Sequence, residues 1–147
     1  MSFQTRFIAF AICVFLPFHA VAEPRAGAYL AARHAAMSND FETGAQYFTQ
    51  SLIGDPTNPY LLENALVAYV ALGDFERAKP IATIMTQSGI ESQMAHIVLS
   101  VIAATTGDWD KVVLQLENKQ KIGPLVDGLT RGWASVGQGQ MAAAIVT

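Results

Sequence analysis

The sequence predicts an all-α protein, an α-solenoid of stacked antiparallel helix pairs, and three observations carry that expectation. A corner of one type recurs along the chain: Asn39-Asp40-Phe41-Glu42, Gly73-Asp74-Phe75-Glu76 and Gly107-Asp108-Trp109-Asp110. Its three Asp residues stand 34 positions apart, and a fixed period of this size marks stacked helical hairpins. Between the corners, apolar residues recur at helical spacing, and Gly/Pro-rich breakers separate the pairs. The corner chemistry is itself legible. Asn or Gly tolerates the left-handed backbone that ends one helix, and the next Asp can accept from the free N–H groups of the following helix.

The elements follow in order. Arg25 to Ser38 is Ala-rich and helical, with Tyr29, Leu30 and Met37 as its larger apolar residues. Phe41 to Ile53 carries Phe41, Ala45, Phe48 and Leu52 on one stripe, and Gly54-Asp55-Pro56-Thr57-Asn58-Pro59 stops it. Tyr60 to Leu72 repeats Leu62, Ala65, Leu66 and Tyr69 at helical spacing, and its partner runs from Phe75 to about Gln87. Pro80 lies inside that partner, where it is expected to kink the first turns or delay the regular part. Ser88-Gly89-Ile90-Glu91 closes the pair. A third pair starts near Ser92. Ile97 to Ala104 is apolar almost all round, so this helix should sit between two neighbours. Trp109 to about Lys121 follows, ended by Ile122-Gly123-Pro124. Leu125 to Val136 then leads to a looser corner at Gly139-Gln140, 32 residues after Asp108, and the sequence stops at Thr147. The expected units are 25–58, 59–92, 93–124 and an incomplete 125–147, read as the front part of something longer.

Residues 1–22 are set apart from this domain (23–147). Arg6 supplies a positive start, Phe7 to Phe18 is a short apolar run, and Ala20-Val21-Ala22 offers a cleavage site before Glu23-Pro24. That is the layout of a secretory signal peptide. The run is shorter than the roughly 20 apolar residues that span a bilayer, so membrane attachment is expected only if the segment stays uncut. Cys13, the chain's one cysteine, would leave with it, and so would Arg6, taking the net charge from −3 to −4. A helical exported chain without disulfides is expected in the periplasm. No Lys/Arg run argues for nucleic acid.

With these corners on the page, the chain resembles the tetratricopeptide repeat family over about Arg25 to Thr147. The second unit offers Leu62, Ala65, Tyr69, Gly73, Asp74, Phe75 and Ala78; the first offers Asn39, Asp40, Phe41, Gly44, Phe48 and Asp55-Pro56. The third offers His96, Leu99, Ser100, Gly107, Asp108, Trp109 and Leu116. Departures fall late: Val112 takes a small-residue position, Lys119 replaces an apolar or small residue, and Arg131 stands where Leu is usual. The resemblance implies a right-handed superhelix whose first helices line a concave face that meets a partner peptide or helix.

Candidate chemistry is sparse. Asp40, Asp74 and Asp108, with Glu42, Glu76 and Asp110, form a spaced row along one edge, and helix capping accounts for them. His34 and His96 lack a neighbouring ligand at i+4 spacing, and His96 matches a position that packs within the hairpin. No nucleophile, base and oxyanion donor assemble, and no phosphate loop appears. A non-enzymatic protein is expected, with no cofactor, metal or small-molecule substrate. What the resemblance implies is a partner-binding surface at Tyr29, Arg33, Tyr60, Glu63, Asn64, Val67, Ile97, Val101 and Trp133, with Asn64 placed to hold a ligand backbone. The groove lacks the paired Lys and Asn residues of members that clamp a C-terminal carboxylate. Two functions follow: an envelope scaffold that binds another protein's peptide or helix, or a helical front module of a longer exported enzyme or assembly factor. The plain alternative for these side chains is packing against later repeats.

Overall fold

The computed structural model describes residues 24–117 and 122–145. The expected leader, Lys119 and the expected last turn of the helix after Trp109 lie outside them. Among the described residues the chain forms eight helices and no strand. They are α1 (Pro24–Met37), α2 (Phe41–Leu52), α3 (Pro59–Ala71), α4 (Phe75–Gln87), α5 (Gln93–Thr105), α6 (Trp109–Glu117), α7 (Pro124–Gly137) and α8 (Met141–Ala144). Each helix packs on the next in chain order, and α3 also meets α5. This is a repeat-like helical stack.

The corners repeat in atomic detail. Asn39, Gly73, Gly107 and Gly139 all adopt positive φ, at 55°, 71°, 74° and 77°. The residue after each sends its amide back to a carbonyl five residues earlier: Asp40 to Ala35, Asp74 to Tyr69, Asp108 to Ala103 and Gln140 to Ser135, at 2.8–2.9 Å. The same residue then opens the next helix. Asp40 Oδ1 accepts from the Thr43 amide, Asp74 Oδ1 from Arg77 and Asp108 Oδ1 from Lys111, at 3.0–3.1 Å. One residue thus satisfies an orphan carbonyl of the finished helix and an orphan amide of the new one. Gln140 keeps the backbone half of this device and makes no side-chain cap.

Helix starts differ by one residue from expectation at three prolines, Pro24, Pro59 and Pro124. Pro59 and Pro124 are first-turn residues rather than stops, because a missing N–H is harmless where no intrahelical acceptor exists. Asn58 Oδ1 caps α3 through the Tyr60 and Leu61 amides, and Ser92 Oγ caps α5 through Ala95. At α7, Asp127 Oδ1 reaches back to the amides of Ile122 and Gly123 at 2.9 and 3.3 Å. Pro80 does not delay α4, which begins at Phe75 and runs through it. The amide that Pro80 lacks would have met the Glu76 carbonyl, and both residues are exposed, so water can serve instead.

The main core runs from α1 into the first half of α5, with Phe48, Leu62, Leu66, Met85 and Val98 almost wholly buried. Ala78, at the close-packed position of α4, has no exposed surface. Val112 is buried at the corresponding place in α6. Gly44, in the first unit, has Ala35 and Ala68 Cβ atoms at ordinary contact distance from a would-be Cβ, so alanine would fit there too. A second, smaller cluster joins Ala103, Val112 and Ala134 with Ala104, Trp109 and Val113. Phe41 and Phe75 open their helices similarly exposed, at 37% and 40%. Trp109 sits deeper, its indole against Gly137.

Candidate functional site

The nine expected surface residues fall into two groups. On α1 and α3, Tyr29 and Tyr60 meet edge to face, centroids 6.2 Å apart at 61°, and Tyr60 continues onto Phe48 at 6.1 Å. The Arg33 guanidinium lies 6.0 Å from the Tyr29 ring centre, within cation–π reach. Tyr29, Arg33 and Tyr60 are exposed, so the cluster is anchored by buried Phe48 and open on its outer side. Glu63 and Asn64 are half-buried and Val67 exposed; with Tyr60 they share one face of α3 by their spacing. The Asn64 Nδ2 donates to the Tyr60 carbonyl at 2.8 Å. Its Oδ1 is the atom left to meet a ligand amide.

The second group surrounds a cavity of about 400 Å³ among α5, α6 and α7. Ile97 and Val101 line it from α5 and Trp133 from α7; Ser100, Ala104, Trp109, Val112, Ile122, Val126 and Thr130 complete it. Sequence reasoning missed these seven as lining residues. Their signal was present as two helical stripes of identical spacing, 97-101-104 and 126-130-133, but nothing in one sequence says that they face each other. The Ser100 hydroxyl donates to Gln115 Oε1 at 3.1 Å, both buried. Another recess of about 510 Å³ borders α7, lined by Pro124, Leu125, Gly128, Leu129, Gly132, Trp133, Val136 and Ala144.

The acidic edge is structural in its bonding. Asp40's carboxyl is held below the ordinary carboxylate value by the Thr43 hydroxyl and amide. Asp74 is likewise lowered, first by the Arg77 side chain and then by its amide. Arg77 also lies over the Tyr69 ring at 4.8 Å, and the Tyr69 hydroxyl pairs with Thr49 at 3.0 Å. Near the third corner, Gln138 Nε2 donates to Asp110 Oδ1 at 2.6 Å. His96 is buried and His34 exposed, on different helices. Among the described residues, no three His, Cys, Asp or Glu gather as metal ligands, and no helix is long and apolar enough to cross a membrane. The site is equipped to bind apolar and aromatic groups.

No family model matches this chain, and no curated protein matches its sequence. The class defined by the fold is a repeat-like stack of helices.

Proposed function

We propose that this protein is a non-enzymatic scaffold of the tetratricopeptide type, exported to the periplasm. On this reading a peptide or helix of an envelope protein lies along its first helices. The observation that carries the proposal is the open cluster of Tyr29, Tyr60 and Arg33 with Asn64 beside it. Tyrosine and arginine supply large contact area and directed bonds, and they concentrate binding energy in interfaces. The Arg33–Tyr29 and Tyr29–Tyr60 contacts exist without a partner, which lowers the cost of ordering these side chains on binding. Capture from envelope extract, followed by cross-link mapping of the bound segment, tests this. Tyr60→Ala should reduce capture of the mapped partner about tenfold or more, and undiminished capture would count against the surface. Export is tested by the mass of the mature chain, which should begin at Glu23.

A second reading, a helical front module of a larger exported enzyme or assembly factor, is favoured by the α7 stripe. Leu125 and Leu129 there are 76% and 57% exposed, which suits another helical unit stacked on them. An in-frame continuation past Thr147 encoding such a unit supports it, and a stop codon there removes it.

A further inference from the structure

We propose that the cavity among α5, α6 and α7 holds the hydrocarbon chain of an amphiphile such as a fatty acid. This goes beyond the scaffold reading and does not rest on it. Three observations point to that occupant. The cavity's volume of about 400 Å³ falls within the roughly 300–1,000 Å³ of small-molecule pockets. Its walls are paired helical stripes, Ile97 and Val101 facing Val126 and Trp133, with Trp109 and Val112 also lining it. Among the described residues no ionisable side chain lines it, and of its two hydroxyl residues Ser100 already spends its proton on Gln115.

The last point separates a hydrocarbon from a peptide. A peptide entering this space would bring amide groups that the Thr130 hydroxyl and one Ser100 lone pair cannot satisfy, and unpaired buried amides are strongly disfavoured. A run of methylenes brings none. Each methylene buried should tighten binding about fourfold at most, so affinity should climb with chain length until the cavity is filled. A carboxylate head group would stay at the open mouth, in water.

The chain's only two tryptophans, Trp109 and Trp133, both line this cavity, so their emission reports its occupancy. The experiment titrates the folded protein with octanoate, decanoate and dodecanoate below micelle-forming concentrations, and with the capped peptide acetyl-Leu-Phe-Leu-amide. Dodecanoate is expected to shift the emission saturably, with affinity falling about threefold to fourfold per methylene removed. Val101→Asp and Val126→Asp, on opposite walls at partly exposed positions, should each weaken dodecanoate at least about tenfold with helical circular dichroism unchanged. Ile84→Asp, an exposed position of α4 outside both the cavity and the Tyr60 surface, should bind as the parent does. The proposal is overturned by a non-saturable response, by affinity independent of chain length, by undiminished binding in both wall variants, or by tighter binding of the peptide than of dodecanoate. Tyr60→Ala separates the two readings. If it and the parent capture no partner while dodecanoate binds, the scaffold reading fails and the cavity assignment stands.

Discussion

Replacing Gly137 by alanine should destabilise the protein, against the usual benefit of removing glycine from a helix. Gly137 is the last residue of α7, and a Cβ built there overlaps the Cδ2, Cε2 and Nε1 atoms of Trp109. Overpacking of that kind costs about 1–3 kcal/mol, while better helix propensity returns up to about 1 kcal/mol. The indole is only half-buried and borders the α5–α7 cavity, so it has somewhere to move. The net loss should therefore be about 1–2 kcal/mol. Gly128 in the same helix provides the control, because nothing lies within 4 Å of its would-be Cβ. Gly128→Ala should gain up to about 1 kcal/mol. For a domain of this size, each kcal/mol moves the midpoint by about 3–5 °C, so thermal circular dichroism should separate the variants by roughly 3–15 °C. Trp emission should change in Gly137→Ala alone. Equal midpoints with superimposable emission would refute the close approach of Gly137 and Trp109.

Ala78→Arg places a charge at a site with no exposed surface inside the main core. It should cost more than about 4 kcal/mol and weaken α2 and α5 along with α4; an unaffected melting curve would contradict the repeat register. Acid should loosen the corners, because Asp40 and Asp74 have folded-state values below ordinary carboxylates. Their contribution is present above the unfolded value near about pH 4 and is lost as pH falls through the lower folded one. Asp40→Asn keeps an oxygen acceptor for the Thr43 amide, so its share of this pH dependence should vanish in urea melts across that range.

The corners were legible because their chemistry is short-range: a left-handed residue followed by an acceptor needs only adjacent positions. Asn39, Gly73 and Gly107 with their Asp partners announced themselves, and Gly139 did so even with Gln140 in the Asp place. The prolines were misjudged for a local reason too. Pro59 and Pro124 read as terminators, yet a first-turn proline is indistinguishable from a stop until the cap before it is known, and Asn58 is that cap. Pro80 looked disruptive because its exposure, which lets water take the freed carbonyl, belongs to the folded state. The site was only half readable. The family resemblance put Tyr60, Asn64 and Val67 on one binding surface, but the ring contact between Tyr29 and Tyr60 needs the crossing of α1 and α3. Trp109 was taken for a corner aromatic like Phe41 and Phe75. Its second role, in the cavity, follows from α7 crossing close enough for Gly137 to touch it.

The division of the core links this cavity to stability. The cluster spanning α1 to α5 is built on Phe48, Leu62, Leu66, Met85 and Val98, whereas among the described residues the cluster at α5–α7 has Val112 and two alanines as its buried members, with Leu116 of α6 the one large aliphatic buried beside them. A buried Leu or Phe contributes about 1.5–3 kcal/mol and an alanine far less. In a stack held by nearest-neighbour interfaces, the helices after α5 are therefore the more weakly held. Ala95 and Val98 belong to the first cluster and Ala103 to the second, so α5 is the element they share. The cavity opens on the second cluster's side, lined by Ala104, Trp109 and Val112. An apolar occupant there adds contacts where the native core has fewest. Because it meets those surfaces together only in the folded state, its binding adds to the stability of α6 and α7 by mass action. Occupancy of the cavity and order in the C-terminal helices are then one equilibrium seen from two sides.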